Sequence, residues 1–569
     1  MNERDYRKGT VPCHTWRMIR ALEEDQFLKR PAVPGRRPSI VMPESLLVHK
    51  PVEQPAAPAP QPAPALQTEA APTRELTPSP FDLRLAQYRC ELERLYREQY
   101  QGDLAAWDSL LTLLRQCFEA REASLHEMDE RRAADPCWYC RRDLLAMTAD
   151  ADIFAGSLSG VAGHLPYLKE CGVNFLCLSG EGTAAELTQT AAACREQGIY
   201  LRLDLKAEAP QGAPSFHAWV EELLHMANLG ADALYLGNLA AFSHATLRMA
   251  RLICQLVCPG VLLMGDAPDF GTLEFFGSDG KPECHMLCRD RGGLLWHTLA
   301  TGDVSLLRHG VEQALSLPRE RLFLNRLHGN NGVEWSLDYG WLKEHCGTDE
   351  GAHRQYLNDW ATGKFPGSNC RGELCREGKV CGTTASLCGV EAADYEQNDL
   401  KLDQTVACDL LLHAFLFTLS GVPALISGDE IGQLNDYSCH EDPAKSGDAR
   451  YLHQGPFQWD LAAMRNDQQT RQGKQFHGLH RLAQLRAGEP AFDARADVWT
   501  FDTGDARVLG LGRCYEGRKL VALFNFSNEF VTVSAPETGA FEELIYGGHY
   551  DCLDHVELYP YAFVWLLQH

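Results

Sequence analysis

Between about residues 144 and 430 the chain alternates short, near-continuous apolar runs with longer stretches in which apolar residues recur at helical spacing. The runs are Leu144–Ala149, Val173–Leu178, Ile199–Leu205, Ala231–Gly237, Gly260–Asp266, Cys284–Cys288, Arg321–Leu327 and Val422–Gly428. Amphipathic stretches such as Leu187–Gln197 and Phe216–Asn228 lie between them. Short runs that are apolar throughout, not at alternate positions, read as parallel strands buried on both faces and covered by helices. Eight of them in succession predict an α/β fold, a (β/α)8 TIM barrel. In that architecture reacting groups hang from the C-terminal ends of the strands, where the βα loops form the open mouth. Before the barrel, Phe81 to Asp135 has a helical pattern, as in Leu92–Tyr96 and Leu110–Phe118. From about residue 490 the pattern turns strand-like, with Val508–Leu511, Leu520–Phe526 and Ala562–Leu567 separated by glycine-containing turns.

Several strings around the runs are distinctive. They include Asp152-Ile-Phe-Ala-Gly-Ser-Leu-Ser-Gly-Val161, Pro166-Tyr-Leu-Lys-Glu-Cys-Gly172, Asn228-Leu-Gly-Ala-Asp232 and Leu295-Trp-His-Thr-Leu-Ala-Thr301. Further on come Gly428-Asp-Glu-Ile-Gly-Gln-Leu-Asn-Asp436, Lys445-Ser-Gly-Asp-Ala-Arg450 and Arg465-Asn-Asp467. Together they resemble the amylosucrases, sucrose-using glucan synthases of the α-amylase superfamily (glycoside hydrolase family 13), from about residue 81 to 569. The resemblance implies a helical domain over 81–135, the barrel over 136–488 and an antiparallel β-sandwich over 489–569, behind a tail and linker over 1–80.

The family's catalytic residues carry over poorly. Its fourth strand ends Leu-Arg-Met-Asp, the last residue being the nucleophile, where this chain reads Leu234-Tyr-Leu-Gly237. A one-residue slip would put Asn238 there, and a carboxamide cannot form the glycosyl ester through a carboxylate oxygen. The acid/base Glu becomes Asp266, one methylene short for a proton donor that must reach the glycosidic oxygen. The family's His-Asp-Asp-Ile-Gly-Trp becomes Asn330-Asn-Gly-Val-Glu-Trp335, so the transition-state-stabilising Asp is Asn331. Of the family's Asp-x-x-x-Asn-His after the third strand, Asp204 is retained, with Glu208 and Ala209 in place of Asn and His. A retaining mechanism needs two carboxyl groups about 5–5.5 Å apart, and the family positions supply one. Two loops are also short. Only Ser179-Gly-Glu181 separates Leu178 from Gly182, where the family has an Asp-Gly-Tyr loop that stacks on the donor sugar. Only twenty-five residues separate Asp204 from Gly230, which excludes the lobe amylosucrases insert after the third strand.

Other positions match the family's substrate-holding loops. By the resemblance Asp429, Glu430, Asp448, Arg450 and Trp335 are the candidate sugar contacts, against a reading as loop scaffold and core. Trp296 carries the same pair of readings. Asp204 and Asp266 have a structural reading as hydrogen-bonded strand-end carboxylates.

Composition bounds the rest. The 569 residues carry a formal charge of −24. Residues 1–50 hold ten Lys/Arg against six Asp/Glu, so the remainder is at −28, an acidic body that disfavours nucleic acid. Neither a membrane span nor a signal peptide is expected. The 21 cysteines, an odd number, then read as free thiols in a reducing cytoplasm. Cys137-Trp-Tyr-Cys140 alone has a redox or zinc spacing, read as incidental thiols, a labile disulfide or a metal site; no metal and no cofactor is expected. Nine prolines and seven alanines in Pro51–Pro80 predict an extended linker. It tethers an N-terminal segment whose Trp16–Leu28 stretch suits a docking helix for a protein partner, or a disordered tail.

Three functions remain open from the sequence. The leading one is a catalytically inactive, amylosucrase-like pseudoenzyme serving as an α-glucan-binding or regulatory module. The second is an active glycoside hydrolase or glucosyltransferase with a rebuilt site, using Asp266 with Asp204 or Glu334. The third is an assembly protein that binds no sugar.

Overall fold

The computed structural model describes residues 79–101, 104–206, 208–266, 283–317 and 322–569. The Trp16–Leu28 stretch and all but the last two residues of the Pro/Ala-rich linker lie outside these.

All eight apolar runs form strands: β1 (Ala146–Asp150), β2 (Phe175–Ser179), β3 (Tyr200–Asp204), β4 (Ala233–Asn238), β5 (Leu262–Asp266), β6 (Met286–Asp290), β7 (Leu322–Arg326) and β10 (Val422–Ile426). They close into one parallel barrel in the order β1-β10-β7-β6-β5-β4-β3-β2. A short hairpin, β8 (Glu373–Leu374) with β9 (Val380–Cys381), lies in the excursion between β7 and β10. The interior is filled by alternate strand residues, among them Ala146, Cys177, Ala233, Met264, Cys288, Leu324 and Ala424, with Trp138 closing the base. The opposite-facing residues, such as Met147, Leu176, Leu201, Leu234 and Leu263, join the core beneath the surrounding helices. Helix Ala184–Glu196 begins on a capping box in which Thr183 and Glu186 satisfy each other's backbone N–H groups. It follows β2 after only four residues, and β3 leads through residues 205–212 directly into helix Ala213–Asn228.

Ahead of the barrel, helices Pro80–Tyr100, Leu104–Glu119 and Ala123–Ala134 pack Phe81, Leu92, Tyr96, Trp107 and Leu110 into the same core. Tyr96 and His217 hydrogen-bond across this contact at 2.9 Å. After the barrel, a six-stranded antiparallel sheet is built from β11 (Asp497–Phe501), β12 (Val508–Tyr515), β13 (Arg518–Asn525), β15 (Phe541–Glu543), β16 (His549–Tyr550) and β18 (Phe563–Gln568). It faces the antiparallel pair β14 (Val531–Val533) and β17 (Val556–Leu558), giving a β-sandwich. Period-two alternation splits the sheet's side chains. Val521, Leu523, Val564 and Leu566 point into the sandwich, whereas Leu520, Ala522, Phe563 and Trp565 pack on the barrel. Both faces are therefore buried, which is why these runs are continuously apolar in sequence.

Arg513 rivets this junction. Its fully buried guanidinium donates to the carbonyls of Ala491 (2.8 Å), Thr418 (2.7 Å) and Asp493 (2.9 Å). Burial pulls its pKa down to about 10, still charged at neutral pH. Replacing Arg513 with Ala strands three buried acceptors, at about 1–3 kcal/mol each before relaxation. The expected outcome is a loss of at least about 3 kcal/mol, read from the urea midpoint and checked against Arg513→Lys, which recovers part of it.

Candidate active site at the barrel mouth

Continuing the interior parity of each strand toward its C-terminal end brings Asp150, Ser179, Asp204, Gly237, Asp266, Asp290 and Arg326 to the mouth. The centre of this ring is occupied by arginine. Arg326, at the end of β7 and largely buried, donates Nη2 to Asp266 at 3.2 Å and Nε to Asp290 at the end of β6. Asp266 accepts a second hydrogen bond from the Tyr235 hydroxyl at 2.7 Å. On the other side Arg202 donates Nη2 to Asp204 at 2.8 Å, and its guanidinium lies over the Tyr235 ring, 4.4 Å from the centroid. Arg202 Nε and Nη1 are buried without a protein hydrogen-bond partner among the described residues, as are Thr148 Oγ1 and His328 Nε2. Burial raises the Asp266 pKa above the ordinary carboxylate value, while Arg326 and Tyr235 act against that shift. Both Asp266 oxygens are thus engaged within the protein.

The end of β4 is irregular. Tyr235 pairs with Met264 but Asn238 pairs with Asp266, so three residues on β4 span two on β5. Gly237 absorbs the bulge with φ of +77°, in the left-handed region. A Cβ there would meet nothing within 4 Å. The bulge brings Asn238, not Gly237, level with Asp266. Asn238 is exposed, and its Oδ1 accepts from Ala240 N at 3.0 Å to cap the turn Leu239–Ala241. Neither residue presents a carboxylate.

The loop after β7 lies against the loop after β10. Asn331 Oδ1 accepts from Arg450 Nη1 at 3.5 Å, and Arg450 is clamped by Asp448, whose Oδ1 lies 2.9 Å from Nε. Asn330 O accepts from Gln454 Nε2 at 2.7 Å and from His453 Nε2 at 3.1 Å. Because His453 Nδ1 accepts from Gly382 N, its proton sits on Nε2 and the ring is neutral. Burial, with His328 beside it, lowers its pKa to about 3.

The remaining candidates are engaged within the protein. Asp429 Oδ2 accepts from Ile426 N at 2.8 Å and is 3.3 Å from His413 Nε2, whose Nδ1 lies 2.9 Å from Asp409. Burial works against the His413 charge, but the two flanking carboxylates outweigh it and raise the pKa to about 10. Glu430 accepts from the Tyr167 hydroxyl at 2.9 Å and from Gly428 N at 2.8 Å, wholly inside the protein. Trp335 and Trp296 are buried, and Trp335 Nε1 bonds Asn358 at 2.8 Å. Glu334 is paired with Lys379 at 3.1 Å. Asp266 and Asp204 are therefore the carboxylates from sequence reasoning that share the mouth. Sequence reading missed Asp290, Arg326, Arg202 and Tyr235. The available signal was parity: Asp290 stands two residues beyond Cys288, and Arg326 two beyond Leu324. Among the described residues no group of three His, Cys, Asp or Glu side chains is arranged to hold a metal ion, and no helix is long and apolar enough to cross a membrane.

Solved structures share this architecture. AmyP in complex with maltose superposes with a TM-score of 0.53, at 13% identity, over 75% of this chain and 96% of its own. The trehalulose synthase MutB from Pseudomonas mesoacidophila MX-45 superposes with a TM-score of 0.50, at 12% identity, over 76% of this chain and 99% of its own. The chain has the fold of the α-amylase-type enzymes. No protein-family model matches it. In sequence, glucosylglycerate phosphorylase of Escherichia coli (strain K12) is 26% identical over 305 residues, 51% of this chain. The match spans only half the length of that relative.

Two outcomes follow. Gly237→Ala loses about 1 kcal/mol through the left-handed backbone and not through a clash, seen as a shifted denaturation midpoint. Burial raises the Glu430 pKa to about 7. A raised carboxyl means the folded state holds its proton longer than the unfolded state. Stability is then full below the ordinary value near 4.5 and falls as pH rises toward 7, by at most about 3 kcal/mol. Glu430→Gln should flatten that part of the stability–pH curve, whatever its absolute cost.

Proposed function

We propose that this chain is an amylosucrase-like member of glycoside hydrolase family 13 that no longer catalyses sucrose-dependent glucosyl transfer and serves as an α-glucan-binding or regulatory module. The observation that carries the reading is the state of the mouth. The nucleophile position, Gly237, has no side chain, and the acid/base position, Asp266, gives both oxygens to Tyr235 and Arg326. A general acid must offer its proton to a leaving oxygen, and a nucleophile must present a free carboxylate to the anomeric carbon. With the family's transition-state Asp replaced by Asn331, the losses fall on one catalytic unit, whose members act together and not additively. Oligosaccharide binding is compatible with neighbours such as AmyP, crystallised with maltose and maltotriose. The helical segment 81–135, the barrel 136–488 and the sandwich 489–569 are proposed as its domains, with residues 1–50 as the arm that reaches a protein partner in the cytoplasm.

One observation favours a second reading. Asp290 and Asp266 flank the same guanidinium, so a ligand that displaced Arg326 would free two neighbouring carboxyl groups for a rebuilt glycoside-processing site. Incubation with sucrose, with and without glycogen, and with glucosylglycerate plus inorganic phosphate separates the readings. The expected outcome is no glucose, fructose or glucose phosphate above a blank, together with measurable retardation on a glycogen gel. Release that disappears in Asp266→Asn and Asp290→Asn establishes the rebuilt site. Neither release nor retardation removes the glucan-module reading.

A further inference from the structure

The base of the barrel, opposite the mouth, carries a different chemistry. Helix Ala123–Ala134 ends in two consecutive turns, closed by Trp138 N to Asp135 O at 3.1 Å and by Cys140 N to Cys137 O at 2.8 Å. The second turn holds Cys137-Trp-Tyr-Cys140. Its first cysteine is exposed and its second half-buried. A hydrogen-bonded four-residue turn brings its end Cα atoms within about 7 Å, and a disulfide spans Cα separations of about 4.4–6.8 Å. The intervening residues are not solvent loop. Trp138 closes the barrel interior and Tyr139 packs beside it. Arg132 lies 4.0 Å from the Trp138 ring centroid and donates to Gly260 O at 3.0 Å, fastening the helix to the same floor. Arg495, at the start of the C-terminal region, is held by Asp493 at 2.8 Å, and its charge acts on Cys140 against that of Asp493. Helix and barrel floor thus meet at a tight turn that carries a cysteine at each end.

We propose that Cys137 and Cys140 form a reversible disulfide-modification site, oxidised by glutathione disulfide or a similar small disulfide, that locks the turn seating Trp138 in the barrel floor. The exposed Cys137 thiolate attacks one sulfur of the oxidant, forming a mixed disulfide and releasing one glutathione thiolate. Cys140, after losing its proton to solvent, attacks the Cys137 sulfur and releases the second glutathione. Two electrons pass from the protein thiols to the oxidant, and the S–S bond of the oxidant is exchanged for one in the protein. Burial and the neighbouring Cys137 hold the Cys140 pKa up near 12, so Cys137 is the entry point. Conversion of Cys137 to a mixed disulfide removes its negative charge and with it one of the causes of that elevation.

Cleavage at arginine isolates the site, because the segment Ala133–Arg141 contains these two cysteines and no other. The full-length protein is equilibrated in glutathione buffers of graded potential, quenched in acid, alkylated, digested with trypsin and weighed. The expected result is a peptide lighter by two hydrogens and without alkyl groups, appearing reversibly across the series. Cys140→Ser should instead stop at a persistent glutathione adduct on Cys137, and Cys137→Ser should alkylate at least tenfold more slowly than Cys140→Ser. Oxidation should also slow hydrogen exchange in the segment around Trp138 in the wild type but not in Cys137→Ser. A wild-type peptide that stays doubly alkylated at every potential, or that accumulates only the mixed glutathione adduct, overturns the proposal.

Discussion

Closing eight parallel strands into a barrel buries each of them on both faces, and that constraint orders everything else in this protein. It demands apolar residues at nearly every strand position, fixes which half of them point inward, and confines polar groups to the two ends. At the base the interior is sealed by Trp138. At the mouth the inward parity continues into Asp150, Ser179, Asp204, Asp266, Asp290 and Arg326, so the chemistry of the site is decided by the few inward residues at the strand ends.

Two guanidiniums, Arg202 and Arg326, stand in that mouth. A charge withdrawn from water needs a counter-charge and hydrogen bonds, and losing one partner of a buried pair costs about 3–5 kcal/mol. Asp204 answers Arg202, while Asp266 and Asp290 answer Arg326. Carboxylates committed in this way neutralise the interior, and they are held where a glycosidase would need them free. The connections after β2 and β3 are short, at four and eight residues.

The strands were legible because burial on both faces writes itself into sequence as uninterrupted apolar runs. The runs begin about two residues ahead of most strands, since Leu144, Val173, Ile199 and Ala231 are buried entry residues that do not pair in the ladder. The sandwich strands were legible for the same reason, one face lying on the barrel and the other on β14 and β17. The site was legible only in part. Gly237 and Asp266 stand out by alignment, but the bulge that brings Asn238 level with Asp266 depends on a left-handed glycine whose sign of φ no composition reveals. The partners that occupy Asp266 come from strands 31 and 60 residues away, and non-local pairs of this kind leave no local pattern. Asp429 and Glu430 show the converse: a family-like loop string whose carboxylates serve His413, Tyr167 and backbone amides inside the protein.

The central claim is that no side chain in the mouth is available as a glycosyl acceptor. Incubation with an activated 5-fluoro-glucosyl fluoride, followed by intact-mass measurement and peptide mapping, tests it directly, because a working nucleophile accumulates as a slowly hydrolysed ester. The account predicts an unmodified protein mass at all times. A stoichiometric adduct mapping to Asp290, Asp204 or Asp266 would contradict it and identify the rebuilt nucleophile.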